Sequence, residues 1–402
     1  MLDCRPLQSA GADSEKYRLI VSAVAALSGD KGVEWLFLID HTYQDGVLPG
    51  LSGGRPDQDG VLQEMPGGRL LKARGLPGPL GWKLWYDWQL PRLVKRYKPD
   101  LVMLTGGVTA RPVGAPQYLW MPVHANPKET GSAGSGVSAR AGMSARDSRS
   151  ARAGAPIYAA RLTNSLLHAE MIFCFSEKDR VWLAGRGQID AAKIIVVRPS
   201  VQPGATPLTV DQKEVIKQRH TGGREYFFTE AAGVGEEEVV QLLKAFSLFK
   251  KRQLSNLQLV IAGVRTEALR LRLETYRYRG DVHWTGGDSG DLMAAAYAVL
   301  LPFGDDSSGV SLLNVWKAGI PAVVARDSRL HELADGAVLA AGIDDPVALA
   351  GYMMSLYKDE MLRNALIEKG RARLTAFDPA FSLAAIRAAI GKWALDRPIG
   401  PA

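Results

Sequence analysis

The stretch Glu225–Gly263, EYFFTEAAGVGEEEVVQLLKAFSLFKKRQLSNLQLVIAG, decides the fold. It opens on an apolar run of strand length, Glu225–Ala231. A helical pattern follows over Glu236–Lys251, where Val239, Leu242, Leu243, Phe246 and Phe249 fall on one face. A second apolar run, Leu257–Gly263, closes it. Strand, long helix and strand in that order is the pattern of a parallel sheet with helical crossovers.

The alternation continues in both directions. Downstream, Val282–Thr285 and Ala298–Pro302 read as strands, followed by a helix over Val310–Ala318 and a strand over Ala322–Ala325. Upstream, the strand-like runs are Val33–Asp40, Asp100–Gly106, Gln117–His124, Met171–Ser176 and Lys193–Val201. Helical stretches lie between them at Tyr17–Ser28, Trp82–Tyr97, Ile157–Glu170 and Glu177–Gly187. Pro203–Pro207 breaks the pattern, and the charged stretch Asp211–Arg224 reads as an interdomain linker with its neighbouring helix. The expected architecture is α/β: two Rossmann-like domains with parallel sheets facing a central cleft. Residues 1–205 form the first, 206–378 the second, and 379–402 carry a helix, Phe381–Trp393, that crosses back to the first. Ligands of such sheets sit at the carboxyl ends of the strands.

Composition narrows the function classes. The chain has 402 residues, 47% hydrophobic and 23% charged, which is enough apolar matter to exclude wholesale disorder. Its longest apolar runs, such as Leu292–Phe303, are too short to span a bilayer. Met1–Tyr17 is polar and lacks the apolar core of a signal peptide, so a cytoplasmic location is expected. Two cysteines, Cys4 and Cys174, are too few for a disulfide framework or a zinc cage. The formal charge of +7 is carried by the first half: residues 1–200 hold 25 Lys and Arg against 18 Asp and Glu, and residues 201–402 hold 24 of each. A basic half suggests an anionic partner. With no zinc-finger spacing and no RNA-binding aromatic signature, nucleic acid is not expected; a phosphorylated acceptor and a peripheral contact with the anionic inner face of a membrane are the candidates left. Within that half, residues 131–155 contain Gly, Ala, Ser and Arg140, Arg146, Arg149 and Arg152 but no aromatic residue. The segment reads as a flexible basic loop, with a flap touching an anionic lipid or acceptor as the functional alternative.

The segment richest in chemistry is Pro302–Val323, PFGDDSSGVSLLNVWKAGIPAV. A strand ends at Pro302, an acidic Ser/Gly loop follows, and a helix starts after Gly309. Backbone N–H groups at such a start form an anion site, and Gly309 lets a ligand approach the backbone. Asp306 and Asn314 stand eight residues apart across the helix start.

These residues resemble the family 4 retaining glycosyltransferases of the GT-B fold. That family places an acidic residue, Gly-Phe-Gly and a second Glu at this spacing, then a small residue, Gly, any residue and Pro. Here Ala318-Gly319-Ile320-Pro321 stands in register with that ending. Leu242–Lys250, Leu257–Gly263, Val282–Gly286 with Leu292–Pro302, Leu330–Ala337 and Tyr357–Gly370 resemble further segments of the second domain. Leu2–Ser9, Leu90–Gly107, His124 and Ser176-Glu177 resemble segments of the first. The resemblance implies transfer of a hexose from a nucleotide-sugar donor to a glycan or lipid-linked acceptor, in assembly of a cell-surface polysaccharide or glycoconjugate. It implies neither a metal nor a cofactor. His124 and Asp306 are the catalytic candidates, and Ser307, Ser308, Gly309, Val310, Asn314 and Gly286 the donor-binding candidates.

The chain also departs from the pattern. Asn314 replaces the carboxylate assigned to the donor ribose. Glu236 and Glu237 stand where an Arg and a Lys would hold the pyrophosphate, and Asp13-Ser14-Glu15-Lys16-Tyr17 replaces a glycine-rich turn. A carboxylate beside a pyrophosphate repels it; the run Glu236–Glu238 reads as a helix start that favours acids. These losses keep a second reading open, a noncatalytic GT-B protein that binds or scaffolds a partner glycosyltransferase. The triplet Trp82, Trp85 and Trp88 reads as packing of one helix face, with sugar stacking or a membrane interface as its alternative.

Overall fold

The computed structural model describes residues 1–4, 34–40, 62–65, 68–73, 78–105, 109–120, 161–185, 189–200, 207–231, 234–286, 289–303 and 309–396. Among these, no helix is long and apolar enough to cross a membrane. The chain divides into two compact units, Met1–Pro199 with Pro379–Ala402, and Ser200–Asp378.

The first unit is built on eight strands: β1 (Leu2–Asp3), β2 (Trp35–Asp40), β3 (Leu62–Met65), β4 (Gly68–Ala73), β5 (Val102–Leu104), β6 (Gln117–Trp120), β7 (Met171–Cys174) and β8 (Ile194–Val196). Their order is β3-β4-β2-β1-β5-β6-β7-β8. All neighbours are parallel except the edge pair β3–β4. The sequence reading did not find that pair. Gln63, Glu64, Arg69 and Lys72 interrupt its apolar run, and an antiparallel edge needs only one buried face.

The helix across Trp82–Tyr97 shows how local chemistry redirects a periodic pattern. It runs as α1 (Gly78–Leu84), a π-turn (Trp85–Gln89) and α2 (Leu90–Tyr97). Pro91 has no N–H to offer the carbonyl four residues earlier, and its ring crowds that carbonyl; a wider turn relieves both problems. The extra residue puts Trp85 and Tyr86 on the inward face with Leu90 and Val94, all buried. Trp82 is half-buried against Tyr86. Trp88 is turned outward, 58% exposed. The three tryptophans therefore do not pack on one face. After α3 (Glu177–Ala184), the chain passes through β8 to the second unit.

That unit alternates β9 (Tyr226–Glu230), β10 (Gln258–Ala262), β11 (Val282–Thr285), β12 (Ala298–Leu301), β13 (Ala322–Ala325) and β14 (Leu339–Ala341) with eight helices. These are α4 (Val210–Thr221), α5 (Glu236–Gln253), α6 (Glu267–Glu274), α7 (Gly290–Ala294), α8 (Val310–Lys317), α9 (Arg329–Ala334), α10 (Pro346–Lys358) and α11 (Glu360–Arg373). The order β11-β10-β9-β12-β13-β14 is parallel throughout. It is the doubly wound order 3-2-1-4-5-6, which reverses between β9 and β12. Alternate residues feed opposite cores: Tyr226 and Phe228 pack with Leu312 and Trp316, and Phe227 packs with Phe246, Phe249 and Met353. Both faces are buried, as a parallel sheet covered by helices requires.

At the amino end of this sheet, Lys250 is 6% exposed. Its ammonium donates to the carbonyls of Ser255 and Leu257 and pairs with Asp281 at 3.0 Å. Nearby, His283 on β11 has a buried Nε2 without a hydrogen-bond partner among the described residues. Burial pushes its pKa below the ordinary 6.5, opposed by Asp281 and assisted by Arg224 and His220. The unfolded chain thus takes up the proton at higher pH than the folded one. Stability from this group is complete above about pH 6.5 and is lost as the pH falls below it. The His283→Gln variant should show a flatter decline of Tm between about pH 7 and pH 5 than the wild type; equal slopes would exclude this role.

The last helix, α12 (Pro379–Asp396), belongs to the first unit. Ser382 donates to the carbonyl of Arg198 at 2.7 Å, Tyr118 donates to the carbonyl of Ala389 at 3.1 Å, and Ile386 is fully buried.

Candidate functional site

The order reversal of the second sheet selects one place. β9 and β12 are neighbours, with Ala298 opposite Phe227 and Val299 opposite Phe228, and the chain leaves each at its carboxyl end to enter a helix. Residues that follow these strands border the crevice where doubly wound sheets bind ligands.

Helix α8 is delimited by two glycines. Gly309 takes φ +75 immediately before the first helical residue, and Gly319 takes φ +71 just after the last turn. Both are left-handed conformations that other residues adopt at a cost. Gly309 brings no side chain to the helix start, and α8 begins after the carboxyl end of β12. Val310, Leu312, Leu313, Val315 and Trp316 are buried. Ser311, Asn314 and Lys317 are half-buried and recur every three residues on the remaining face. The structure therefore brings Gly309, Val310 and Asn314 together at one helix. Gly286 follows β11, and a Cβ added there would meet nothing within 4 Å. His124, Asp306, Ser307 and Ser308 lie outside the described residues, as does residues 131–155.

The three glutamates of α5 are occupied locally. Glu238 Oε2 accepts from the Gly235 N–H at 2.9 Å, closing the helix start. Glu236 Oε1 accepts from the Thr266 hydroxyl at 2.7 Å, and Thr266 caps α6 through Leu269 N–H. Glu237 Oε1 accepts from Gln241 Nε2 at 3.4 Å. Acids in a first turn are stabilised by the helix dipole. At the end of β9, Glu230 accepts from the Ser289 hydroxyl and so ties that loop to the start of α7.

The same carboxyl-end loops carry two exposed arginines. Arg265 follows β10 and Arg326 follows β13, each one strand away from the reversal point. Sequence reasoning passed over both because it matched a motif position by position; the usable signal was a cation directly after a buried strand end.

In the first unit, the comparable reversal lies between β1 and β5. Asp3, fully buried at the end of β1, accepts from Tyr86 Oη at 2.6 Å, and Thr105 donates to its carbonyl. Ser176 caps α3 by accepting from Asp179 N–H. Burial pushes the Cys4 thiol up and the Cys174 thiol up to about 12, so neither thiol ionises near neutrality as a nucleophile would need to.

Residues 211–373 match the family model described as Glycosyl transferases group 1. The whole chain is similar to solved structures. HepE from Anabaena, in complex with UDP and glucose, is 12% identical with a TM-score of 0.66, covering 97% of this chain and 98% of that one. Sucrose-phosphate synthase from Thermosynechococcus elongatus is 14% identical with a TM-score of 0.65, covering 98% and 99%. WaaG, a glycosyltransferase involved in lipopolysaccharide biosynthesis, is 16% identical with a TM-score of 0.62, covering 93% and 95%. No curated protein matches. The fold is GT-B: two α/β units with parallel sheets.

Proposed function

We propose that the chain is a glycosyltransferase that moves a hexose from a nucleotide-sugar to a glycan or lipid-linked acceptor, with retention of configuration. The observation that carries the reading is the coincidence of two results on one unit. Residues 211–373 match a glycosyltransferase model, and the same residues form a 3-2-1-4-5-6 sheet in which α8 starts after β12, one of the two strands at the order reversal. In support, a neighbour of this fold carries UDP and glucose.

In the retaining reaction the bond from the sugar's anomeric carbon to the donor phosphate oxygen breaks. The acceptor hydroxyl oxygen bonds to the same face of that carbon, and its proton leaves with the departing phosphate. The nucleoside diphosphate is the leaving group. Stabilising its developing charge is the protein's main task. The first turn of α8 at Gly309 and Val310 supplies backbone N–H groups for it, and Ser307 and Ser308, which precede it in sequence, are candidates to add hydroxyls. Arg265 and Arg326 supply the positive charge that Glu236 and Glu237 do not. Asn314 holds the ribose as a neutral partner, Gly286 leaves room for the base, and Asp306, eight residues before Asn314, is the candidate for the transferred sugar. An acceptor of a cell-surface polysaccharide or glycoconjugate, presented at the inner face of a membrane, suits the basic first half.

One observation favours the noncatalytic alternative: Glu236 and Glu238 complete helix starts and leave no cation at the end of β9. Calorimetric titration with a panel of nucleotides and nucleotide-sugars separates the two. The proposed function expects weak but saturable binding of a nucleoside diphosphate hexose. Heat with no member of the panel would leave the scaffold reading in its place.

A further inference from the structure

We infer that Lys213 and Arg363 form a binding site for a phosphate dianion on the second unit, at the opposite end of its sheet from the candidate donor crevice. The site is assembled where β9, β12 and β13 begin. Lys217 on α4 pairs with Glu225, just before β9, at 2.6 Å. Tyr297, just before β12, donates its backbone N–H to the Tyr226 carbonyl on β9, and the Arg363 guanidinium lies over the Tyr297 ring, 4.9 Å from its centre. Gly319 precedes β13, and a Cβ added there would stand 2.9 Å from Arg371 Nη2. Three cations thus follow the amino ends of three neighbouring strands. Lys213, about one turn before Lys217 on α4, joins them.

Two of these cations are already answered. Lys217 holds Glu214 and Glu225 at 2.8 and 2.6 Å, and Arg371 pairs with Glu368 at 2.9 Å. Lys213 and Arg363 are half-buried, yet neither has an ion pair among the described residues. Arg363 Nε is buried without a hydrogen-bond partner there. Burial, together with the charges of Lys217, Arg363 and Arg371, pushes the Lys213 pKa below the ordinary 10.5, and Glu225 opposes them. Glu225 and Glu360 border the cluster.

Half-buried like charges that no carboxylate answers cost stability in the free protein. One group with two negative charges would answer both. Phosphate suits the pair better than a carboxylate does. It offers enough acceptor oxygens for the planar fork of Arg363 and the point charge of Lys213 together. Because the strands' amino ends lie away from the order-reversal crevice, this inference does not depend on donor binding.

The test is calorimetric titration of the full chain with inorganic phosphate and with a hexose 6-phosphate, at an ionic strength held constant with chloride. Saturable binding of at least one is expected, and the tighter of the two tells free phosphate from a phosphorylated sugar as the source. Lys213→Gln should weaken binding about tenfold or more, and Lys213→Gln with Arg363→Gln should remove it. Stability supplies a second readout. In chloride, Lys213→Gln should raise Tm, since it removes an unanswered charge. Saturating phosphate should raise the wild-type Tm by a few degrees and that of the variant much less. A merely structural lysine would shift Tm equally in both salts. That result would overturn the inference, as would no binding of either phosphate or binding that both variants leave unchanged. So would binding lost only when Arg265 and Arg326 are changed to Gln, which would place the anion at the other end of the sheet.

Discussion

Changing Glu236 to Arg, Glu237 to Lys and Asn314 to Glu together is expected to raise affinity for a nucleoside diphosphate hexose by about a hundredfold. On the proposed function, two carboxylates at the start of α5 would oppose a donor pyrophosphate, and their replacement by cations would reverse that sign. A hydrogen bond between charged partners contributes roughly 1.5–3 kcal/mol, against about 1 kcal/mol for a neutral one. Restoring a carboxylate at position 314 would give the ribose hydroxyls a stronger acceptor. The variant is also expected to fold less stably. Acids in the first turn contribute roughly 0.3–1 kcal/mol each, and the Glu236–Thr266 hydrogen bond is lost. Calorimetry at one salt concentration, with Tm measured beside it, checks both outcomes. A wild type that binds the donor tightly, and a triple variant that binds it worse, would show that the start of α5 does not face the phosphates.

Changing Gly370 to Ala should destabilise the second unit by about 2 kcal/mol, although the same exchange inside a helix usually helps. Ala gains roughly 0.5–1 kcal/mol over Gly at an interior helical position. Here the added Cβ would stand 2.3 Å from Trp316 Cδ1 and 2.8 Å from both Cγ and Nε1. Trp316 is itself buried, and its ring lies against Phe377. Neither helix can yield freely, and overpacking of this kind costs roughly 1–3 kcal/mol or more. The clash outweighs the propensity gain. Trp316 sits on α8, so the displacement should also reach Asn314 and the start of that helix. Thermal denaturation of the single variant and of a Gly370→Ala, Trp316→Leu double variant tests this. Removing the indole should recover much of the loss caused by the alanine, whereas additive losses would mean that the two residues do not meet.

Much of the second unit was legible in the residues. Leu242, Phe246 and Phe249 at helical spacing, and apolar runs of four or five residues between helices, specify a parallel sheet because both of its faces must be buried. The start of α8 was legible for a local reason: Gly309 marks a left-handed residue next to a helix. β14 escaped notice, since three residues, Leu339–Ala341, carry too little pattern. The edge pair β3–β4 escaped because polar residues interrupt it.

The candidate site was legible only in part. Motif spacing put Gly309, Val310 and Asn314 on one helix, and helical geometry alone guarantees that. It gave no view of Arg265 and Arg326, which are 61 positions apart in sequence by their numbers. They flank the same crevice only because β10 lies beside β9 and β13 beside β12. Strand order is set by how crossovers pack, which no single window of sequence contains.

By itself, then, the sequence determined the α/β class, the parallel pairing of the central strands and the starts of α3, α5 and α8, because each depends on residues within a turn or two of one another. The tertiary structure alone decided three other things. It placed Trp85 inward and Trp88 outward, through the π-turn that Pro91 imposes on a helix already anchored in the core. It set Gly370 against Trp316. And it committed Glu236 to Thr266 across two helix starts. Each of these depends on groups brought together by packing, where distance in space rather than separation along the chain decides which interaction forms.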